Sequence, residues 1–229
     1  MAELFFLENL LNLIGFAVGI VIGTVSYIGF RNTGSPTLFR LTIAFFAIGF
    51  GFMIMWLGQT FDEFIYKTDQ DLRWMQTVGI GVQTVGYFFI AFSHTIKSFF
   101  PKSKYLRSVG GVPLFLISFI SIENIIRSIS FILLVYGSIE TIMSYFESRR
   151  KTTILVAAGL GALAFGEFIG WYYFVFPQSI LNIVSISTKI AGLIMLFIPV
   201  TRVPLTKIKF DESVDDSLDE SLDESFDDA

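Results

Sequence analysis

The chain has no cysteine and only one histidine in 229 residues. The absence of cysteine excludes disulfides, thiolate metal ligands and cysteine nucleophiles. The lone histidine, His94, has no carboxylate near it in the sequence, so we expect no metal site. The sequence also lacks a phosphate-binding glycine loop, the HExxH and GxSxG motifs and any ordering typical of a catalytic triad. We therefore predict that the protein is not an enzyme.

The N-terminal stretch lacks the basic residues and the small-residue cleavage site of a signal peptide, and carries Glu3 and Glu8 instead. What the chain has in abundance is apolar: 53% of its residues are hydrophobic and 27 are phenylalanine. These residues fall in runs, and about 20 apolar residues suffice to cross a bilayer. We predict an all-α, multi-pass protein of the cell membrane, whose environment is the lipid bilayer and which binds no nucleic acid.

Acidic charge is concentrated at the C-terminus. Ten of the twenty acids lie in residues 211–228, so that residues 1–210 carry a net charge of +6 although the whole chain carries −4. A four-residue unit of serine, one apolar residue and two acids recurs there. This composition predicts a transmembrane domain over residues 1–205 and a disordered tail over residues 206–229. The tail either keeps the protein soluble or docks on a basic protein partner, and both readings stay open.

Seven apolar stretches are interpreted as membrane helices, over residues 4–30, 36–60, 74–98, 105–120, 123–146, 152–177 and 179–200. Residues 109–145 can also be read as a single long helix. Since lysine and arginine concentrate on the cytoplasmic side, two helices are preferred, because they put the basic links at 97–107 and 149–151 on the same side. The sequence thus predicts a seven-transmembrane-helix bundle with its N-terminus outside and its acidic tail in the cytoplasm.

Two charges of opposite sign interrupt the last two helices. Counted from Pro177 at the turn between them, Glu167 lies ten residues back and Lys189 twelve forward, so antiparallel helices bring both to a similar depth. A charge at mid-membrane costs roughly 2.5 to 3.5 kcal/mol and is usually paired. We predict a buried polar pair. It either fixes helix register, couples to an ion, proton or ligand, or uses Lys189 covalently.

Glycines at a spacing of four predict close helix packing. The first helix carries Gly15, Gly19 and Gly23, and the sixth carries Gly166 and Gly170 beside the buried glutamate. Small residues at this spacing let two helix backbones approach each other. We expect these two ridges to lie at helix crossings.

Other polar residues within the apolar stretches are weaker candidates. Glu140, Gln83 and His94 are interpreted as a possible polar path through the bundle. Glu123 and Arg127 are four residues apart and so favour a local ion pair on one helix face.

The segment SISTKIAGLIML around Lys189 resembles the last helix of microbial rhodopsins, and Trp171 with Pro177 is similar to their sixth helix. This resemblance implies retinal held on Lys189 as a Schiff base. The chain departs from the pattern at Ser185, where those proteins usually have an aspartate counter-ion, and the third helix has no carboxylate. Glu167 would then have to serve as the counter-ion.

The layout of seven helices with short links such as FRNTGSPTLFRLTIAFF resembles the membrane regions that precede some bacterial and archaeal signalling domains. It is also similar to uncharacterised archaeal multi-pass membrane proteins. The resemblance implies a sensory, regulatory or accessory-subunit role, exerted through a protein partner on the tail. The alternative is a small ion- or proton-coupled transporter or channel that uses Glu167 and Lys189. We expect no internal repeat, and this expectation weighs against transport.

Overall fold

A computed structural model describes residues 2–64, 73–95, 122–149, 151–176 and 179–201. These ranges contain six helices: α1 (Ala2–Thr33), α2 (Pro36–Phe64), α3 (Arg73–Thr95), α4 (Ile122–Ser148), α5 (Lys151–Val175) and α6 (Ser179–Thr201). All six are long and apolar enough to cross a membrane. The prediction of an all-α membrane protein is therefore confirmed, with six spans in the described ranges and not seven. The predicted fourth helix, residues 105–120, and the tail, residues 206–229, lie outside them.

The six helices form a closed ring. Each packs against the next in the chain, and α6 returns to pack against α1. Helices joined by short turns are antiparallel, but α3 and α4 are parallel. Thr84 Oγ1 lies 2.7 Å from Ser130 Oγ, and Gly137 packs near Ala91 further along both helices. Consequently α1, α3, α4 and α6 run in one direction, and α2 and α5 in the other.

The glycine ridge of α1 lies at the crossing with α2. A Cβ atom built on Gly19 would be 2.7 Å from the Cα of Gly49. A Cβ on Gly15 would meet the ring of Phe52, and one on Gly23 the ring of Phe46. The two helices approach so closely because no side chain stands between them at Gly19.

Helices α1 to α3 and helices α4 to α6 are two copies of one unit. Residues 7–16 read LENLLNLIGF, and residues 122–131, shifted by 115 positions, read IENIIRSISF. The same shift of 115 relates Trp56 to Trp171. It also relates the turns that end α1 and α4, since Gly34 and Arg149 adopt positive φ angles of 65° and 50°. Each donates its backbone N–H to the carbonyl four residues earlier, at 2.8 and 2.7 Å.

Helix crossings repeat as well. Gly51 of α2 lies against the stem of Gln83 on α3, and Gly166 of α5 lies against the stem of Lys189 on α6. The shift is 115 positions from α2 to α5 and 106 from α3 to α6. With both units running in the same direction around a closed ring, they are related by an approximate two-fold axis along the bundle. The expectation of no internal repeat is therefore wrong.

The repeat is hard to see in the sequence because its polar positions differ. Asn12 in the first unit corresponds to Arg127 in the second, and Gln83 corresponds to Lys189. What the units share is mostly apolar residues and small residues at crossings, which all membrane helices use. The shared geometry is thus clearer than the shared sequence.

Candidate functional site

Four charges of alternating sign form a chain inside the second unit. Lys189 Nζ lies 2.6 Å from Glu167 Oε1, so the structure places the two predicted residues in direct contact. The other carboxylate oxygen of Glu167 lies 3.4 Å from Arg127 Nη1. Arg127 in turn donates from Nε and Nη2 to Glu123 at 3.0 and 2.9 Å. The result is a neutral four-residue network, which we call the ion chain.

The ion chain is removed from solvent at its inner end. Glu167 is 0% exposed, Lys189 2% and Arg127 6%. Isolated charges in such a place would be very unfavourable, and mutual pairing is what makes their burial tolerable. Because Arg127 contacts both carboxylates, it links the predicted pair on α5 and α6 to the predicted local pair on α4. In the sequence the two pairs are separate features, 40 residues or more apart.

Gly166 and Gly170 make room for the ion chain. A Cβ on Gly166 would lie 2.6 Å from the Lys189 stem, and a Cβ on Gly170 would collide with the Arg127 guanidinium. Ser185 donates its hydroxyl to the Gly166 carbonyl at 2.8 Å and so ties α6 to α5 at this level. The second glycine pair therefore serves the polar centre as well as helix packing.

Helix α3 contributes two further polar side chains that are fully buried, Gln83 and Tyr87. The Tyr87 hydroxyl lies near the Glu167 carboxylate, but it has no hydrogen-bond partner among the described residues. Gln83 occupies the position equivalent to Lys189 and packs against Gly51, the equivalent of Gly166. The two units thus meet at Tyr87 and Glu167.

A second polar cluster lies nearer to the ends of the helices. The Glu8 carboxylate of α1 accepts hydrogen bonds from the side-chain amides of Gln59 on α2 and Asn182 on α6. Asn12, one turn further along α1, donates to Gln59 Oε1 at 2.9 Å. Asn182 belongs to the second unit, so this cluster also joins the two units.

Both polar groups line one cavity, which we call the vestibule. Its charged and amide-bearing residues are Glu8, Asn12, Gln59, Gln76, Glu123, Arg127, Asn182 and Lys189. It opens at the end of the bundle where α1, α3, α4 and α6 begin. The cavity has a volume of about 20 Å³, which is enough for one or two water molecules.

The vestibule lies on the approximate two-fold axis. Glu8 and Glu123 are equivalent by the shift of 115 positions, and Gln76 and Asn182 by the shift of 106. Ile80 and Ile186, also related by 106, line the same cavity. The polar centre is therefore built where the two repeats meet.

A second cavity occupies the opposite end of the bundle. It has a volume of about 400 Å³ and a lining that is mostly apolar. Leu41 and Val156 line it at positions 115 apart, and Ile90 and Leu196 at positions 106 apart. Both units contribute to this apolar cavity, although most of its lining residues belong to the first. A packed core that includes the fully buried Leu163 and Leu193 lies within the bundle.

Of the predicted polar path through Glu140, Gln83 and His94, the described side chains do not bring Glu140 and Gln83 together. By the register of α3 against α4, Glu140 lies level with His94, about 16 Å from Gln83 along the bundle. Among the described side chains, no hydrogen bond or ion pair joins Glu140 to Gln83. The side chain of His94 lies outside the described residues.

Geometry gives no support to retinal on Lys189. The amine is paired with Glu167 at 2.6 Å, and the cavity beside it offers about 20 Å³. Pockets for ligands of that size have volumes of about 300 Å³ or more. The larger cavity is lined on α6 by Leu196, Pro199 and Val200, two turns or more beyond Lys189.

Sequence reasoning missed Glu8 and underestimated Arg127. Glu8 was used only as evidence against a signal peptide, although Glu8 and Asn12 lie four apart on one face of an apolar helix. Arg127 lies five residues into α4 and Glu167 eight residues before the end of α5. Since these ends lie on the same side of the bundle, counting inward would have placed the two at nearby depths.

No protein-family model, curated protein or solved structure matches this chain.

Proposed function

We propose that this protein is a small, non-enzymatic membrane transporter whose two three-helix units rock about the vestibule. The observation that carries the proposal is the position of the polar centre on the axis between two parallel repeats. Transporters built from repeats typically bind substrate and coupling ions at the repeat interface. This reverses the order of our sequence-based hypotheses, because the argument against transport was the supposed lack of a repeat.

A cavity toward each end of the bundle, lined by both units, fits alternating access. The vestibule opens at one end of the bundle and the apolar cavity lies at the other. Contacts between the units include polar ones, such as Asn182 with Glu8 and Thr84 with Ser130. Polar contacts of this kind can break and reform at modest cost. The ion chain lies within the second unit and has no net charge, so its four residues would move together with that unit.

The lack of cysteine allows a direct test by single-cysteine labelling. Gln76→Cys reports on the vestibule, and Val156→Cys on the apolar cavity. We expect a membrane-impermeant maleimide to reach each cysteine from one side only, and from opposite sides. In the double variant, prior modification at one position should reduce the labelling rate at the other.

Val184→Cys on α6 is the matched control, since Val184 is 41% exposed on the outer surface of the bundle. Its labelling should be unaffected by modification at either cavity. Independent labelling of the two cavities would contradict alternating access and favour an open channel or a static protein.

We also propose that the chain crosses the cell membrane seven times, with its N-terminus outside. The end of α3 and the start of α4 lie at opposite ends of the bundle, and this arrangement supports one further crossing between them. Placing the basic residues of links 97–107 and 149–151 on the cytoplasmic side agrees with this count. A reporter active only in the cytoplasm should give signal when fused after Arg107 and after Arg150. Signal at only one site would contradict the seven-span topology.

A sensory or regulatory role is the second candidate, favoured by the repeated acidic units of residues 211–228. Such a tail fits a basic protein partner. Recovery of the protein from native membranes with and without residues 211–229 tests this role. Loss of a specific partner on deletion would support it, and an unchanged set of partners would leave only a solubilising function.

A further inference from the structure

The vestibule contains one more negative charge than positive charge. Its ionisable side chains are Glu8, Glu123, Arg127 and Lys189, and Glu167 is paired with the last two. Three carboxylates against two cations leave one negative charge. Since Arg127 and Lys189 are already engaged in the ion chain, the unbalanced charge belongs to Glu8. Its described partners are two neutral amides.

One residue that lines the same space has an oxygen without a hydrogen-bond donor. Asn12 is 1% exposed and lines the vestibule. Its Nδ2 donates to Gln59, but its Oδ1 has no hydrogen-bond donor among the described residues. A buried acceptor without a donor beside an unbalanced carboxylate is the pattern expected at a site that takes up a cation.

We infer that the vestibule binds one monovalent cation of the size of sodium, held by Glu8 and Asn12. One unbalanced charge matches a monovalent ion. Ca²⁺ takes six to eight oxygen ligands and Mg²⁺ usually keeps several of its waters, and a cavity of about 20 Å³ does not accommodate either shell. The free space suits an occupant the size of one water molecule. The ion is therefore small and hard, and is bound by oxygen.

The neighbouring amides can complete the site. A side-chain amide carries an acceptor oxygen and a donor nitrogen on the same carbon, so a half-turn of the group exchanges their positions. A half-turn of the Asn182 amide replaces a donor toward Glu8 with an oxygen ligand for the ion. Because Glu8 and Asn12 belong to the first unit and Asn182 to the second, the bound ion would hold the units together at the vestibule. This consequence rests on the proposed transport function, but binding itself does not.

Equilibrium binding of radioactive sodium to the purified full-length chain in lipid nanodiscs tests the inference without requiring transport. We expect saturable binding that unlabelled sodium displaces and choline does not. Glu8→Gln should weaken the affinity roughly tenfold or more. Asn12→Leu, which keeps the carboxylate, should also weaken it. Glu140→Gln, the same change outside the vestibule, should leave it within about twofold.

Saturable sodium binding that survives Glu8→Gln unchanged would overturn the assignment to this site. Absence of saturable sodium binding to the wild-type chain would overturn the inference altogether and leave a proton as the balancing charge. Sodium-dependent thermal protection of the wild-type chain, measured against choline, provides a readout that does not depend on whether the variants fold. Failure of sodium binding leaves the cysteine test of alternating access intact, and failure of that test leaves a sodium site without transport.

Discussion

We expect removal of the Glu167 charge to lower the free energy of unfolding more than removal of the Lys189 charge does. Glu167→Gln strands Lys189, because no second carboxylate among the described residues pairs with its amine. Lys189→Met leaves Glu167 with the guanidinium of Arg127 at 3.4 Å and with the hydroxyl of Tyr87 nearby. Both substitutions keep the approximate size of the side chain, so that charge is the main change.

The expected losses of unfolding free energy follow from the burial of the Glu167–Lys189 pair. Glu167 and Lys189 are 0% and 2% exposed, and breaking a buried pair by removing one partner costs about 3 to 5 kcal/mol. We expect Glu167→Gln to fall in this range and Lys189→Met to cost less, about 1 to 3 kcal/mol. The double variant retains the Arg127–Glu123 pair, and it should cost less than the two single losses summed by about 1 to 3 kcal/mol.

The free energy of unfolding tests this prediction. It is measured in mixed micelles of a mild and a denaturing detergent for the wild type, both single variants and the double variant. Glu140→Gln on α4 is the control, and its effect should stay within about 0.5 kcal/mol. Additive losses would show that the two residues do not interact. A larger loss for Lys189→Met than for Glu167→Gln would refute the assignment of Arg127 as the second partner of the carboxylate.

Four further tests address separate parts of the protein. Gly19→Ala would place a Cβ 2.7 Å from the backbone of Gly49 and should lower the free energy of unfolding by about 1 to 3 kcal/mol. Gly81→Ala, where no atom lies within 4 Å, should be neutral or stabilising by up to about 1 kcal/mol in the same assay. Adding retinal to the purified protein should give no visible absorbance band, and a band lost in Lys189→Met would contradict this. Any partner bound through residues 211–229 should dissociate as salt rises, and salt-independent binding would argue against a charge-driven contact.

The depth of the Glu167–Lys189 pair could be predicted because a short turn joins two antiparallel helices. Counting residues from that turn is then enough to compare depths. The same reasoning could not place Tyr87 beside Glu167, since α3 and α5 are joined through α4 and by residues outside the described ranges. The contact depends on closure of the ring, a tertiary property that spacing within one helix does not report.

Glu8 and the internal repeat were missed for related reasons. The two units keep Glu8 and Glu123 at equivalent positions, but Asn12 and Arg127 differ in charge, so the two stretches look functionally unrelated. Gln83 and Lys189 likewise differ in charge while packing against equivalent glycines. Packing constrains the small residue at a helix crossing more strongly than the polar residue beside it. The two units therefore share the glycines at their crossings and differ in the neighbouring polar residues.

Distances between spin labels on equivalent pairs at the two ends of the bundle test the central claim most directly. Trp74 and Ile180, 57% and 63% exposed, mark the vestibule end, and Phe39 and Ile154, 45% and 49% exposed, mark the other end. If the units rock about the vestibule, both pairs should show two distance populations, and conditions that shorten one distance should lengthen the other. A single, unchanging distance at both ends under varied pH and sodium would contradict the proposal that the repeats form an alternating-access transporter.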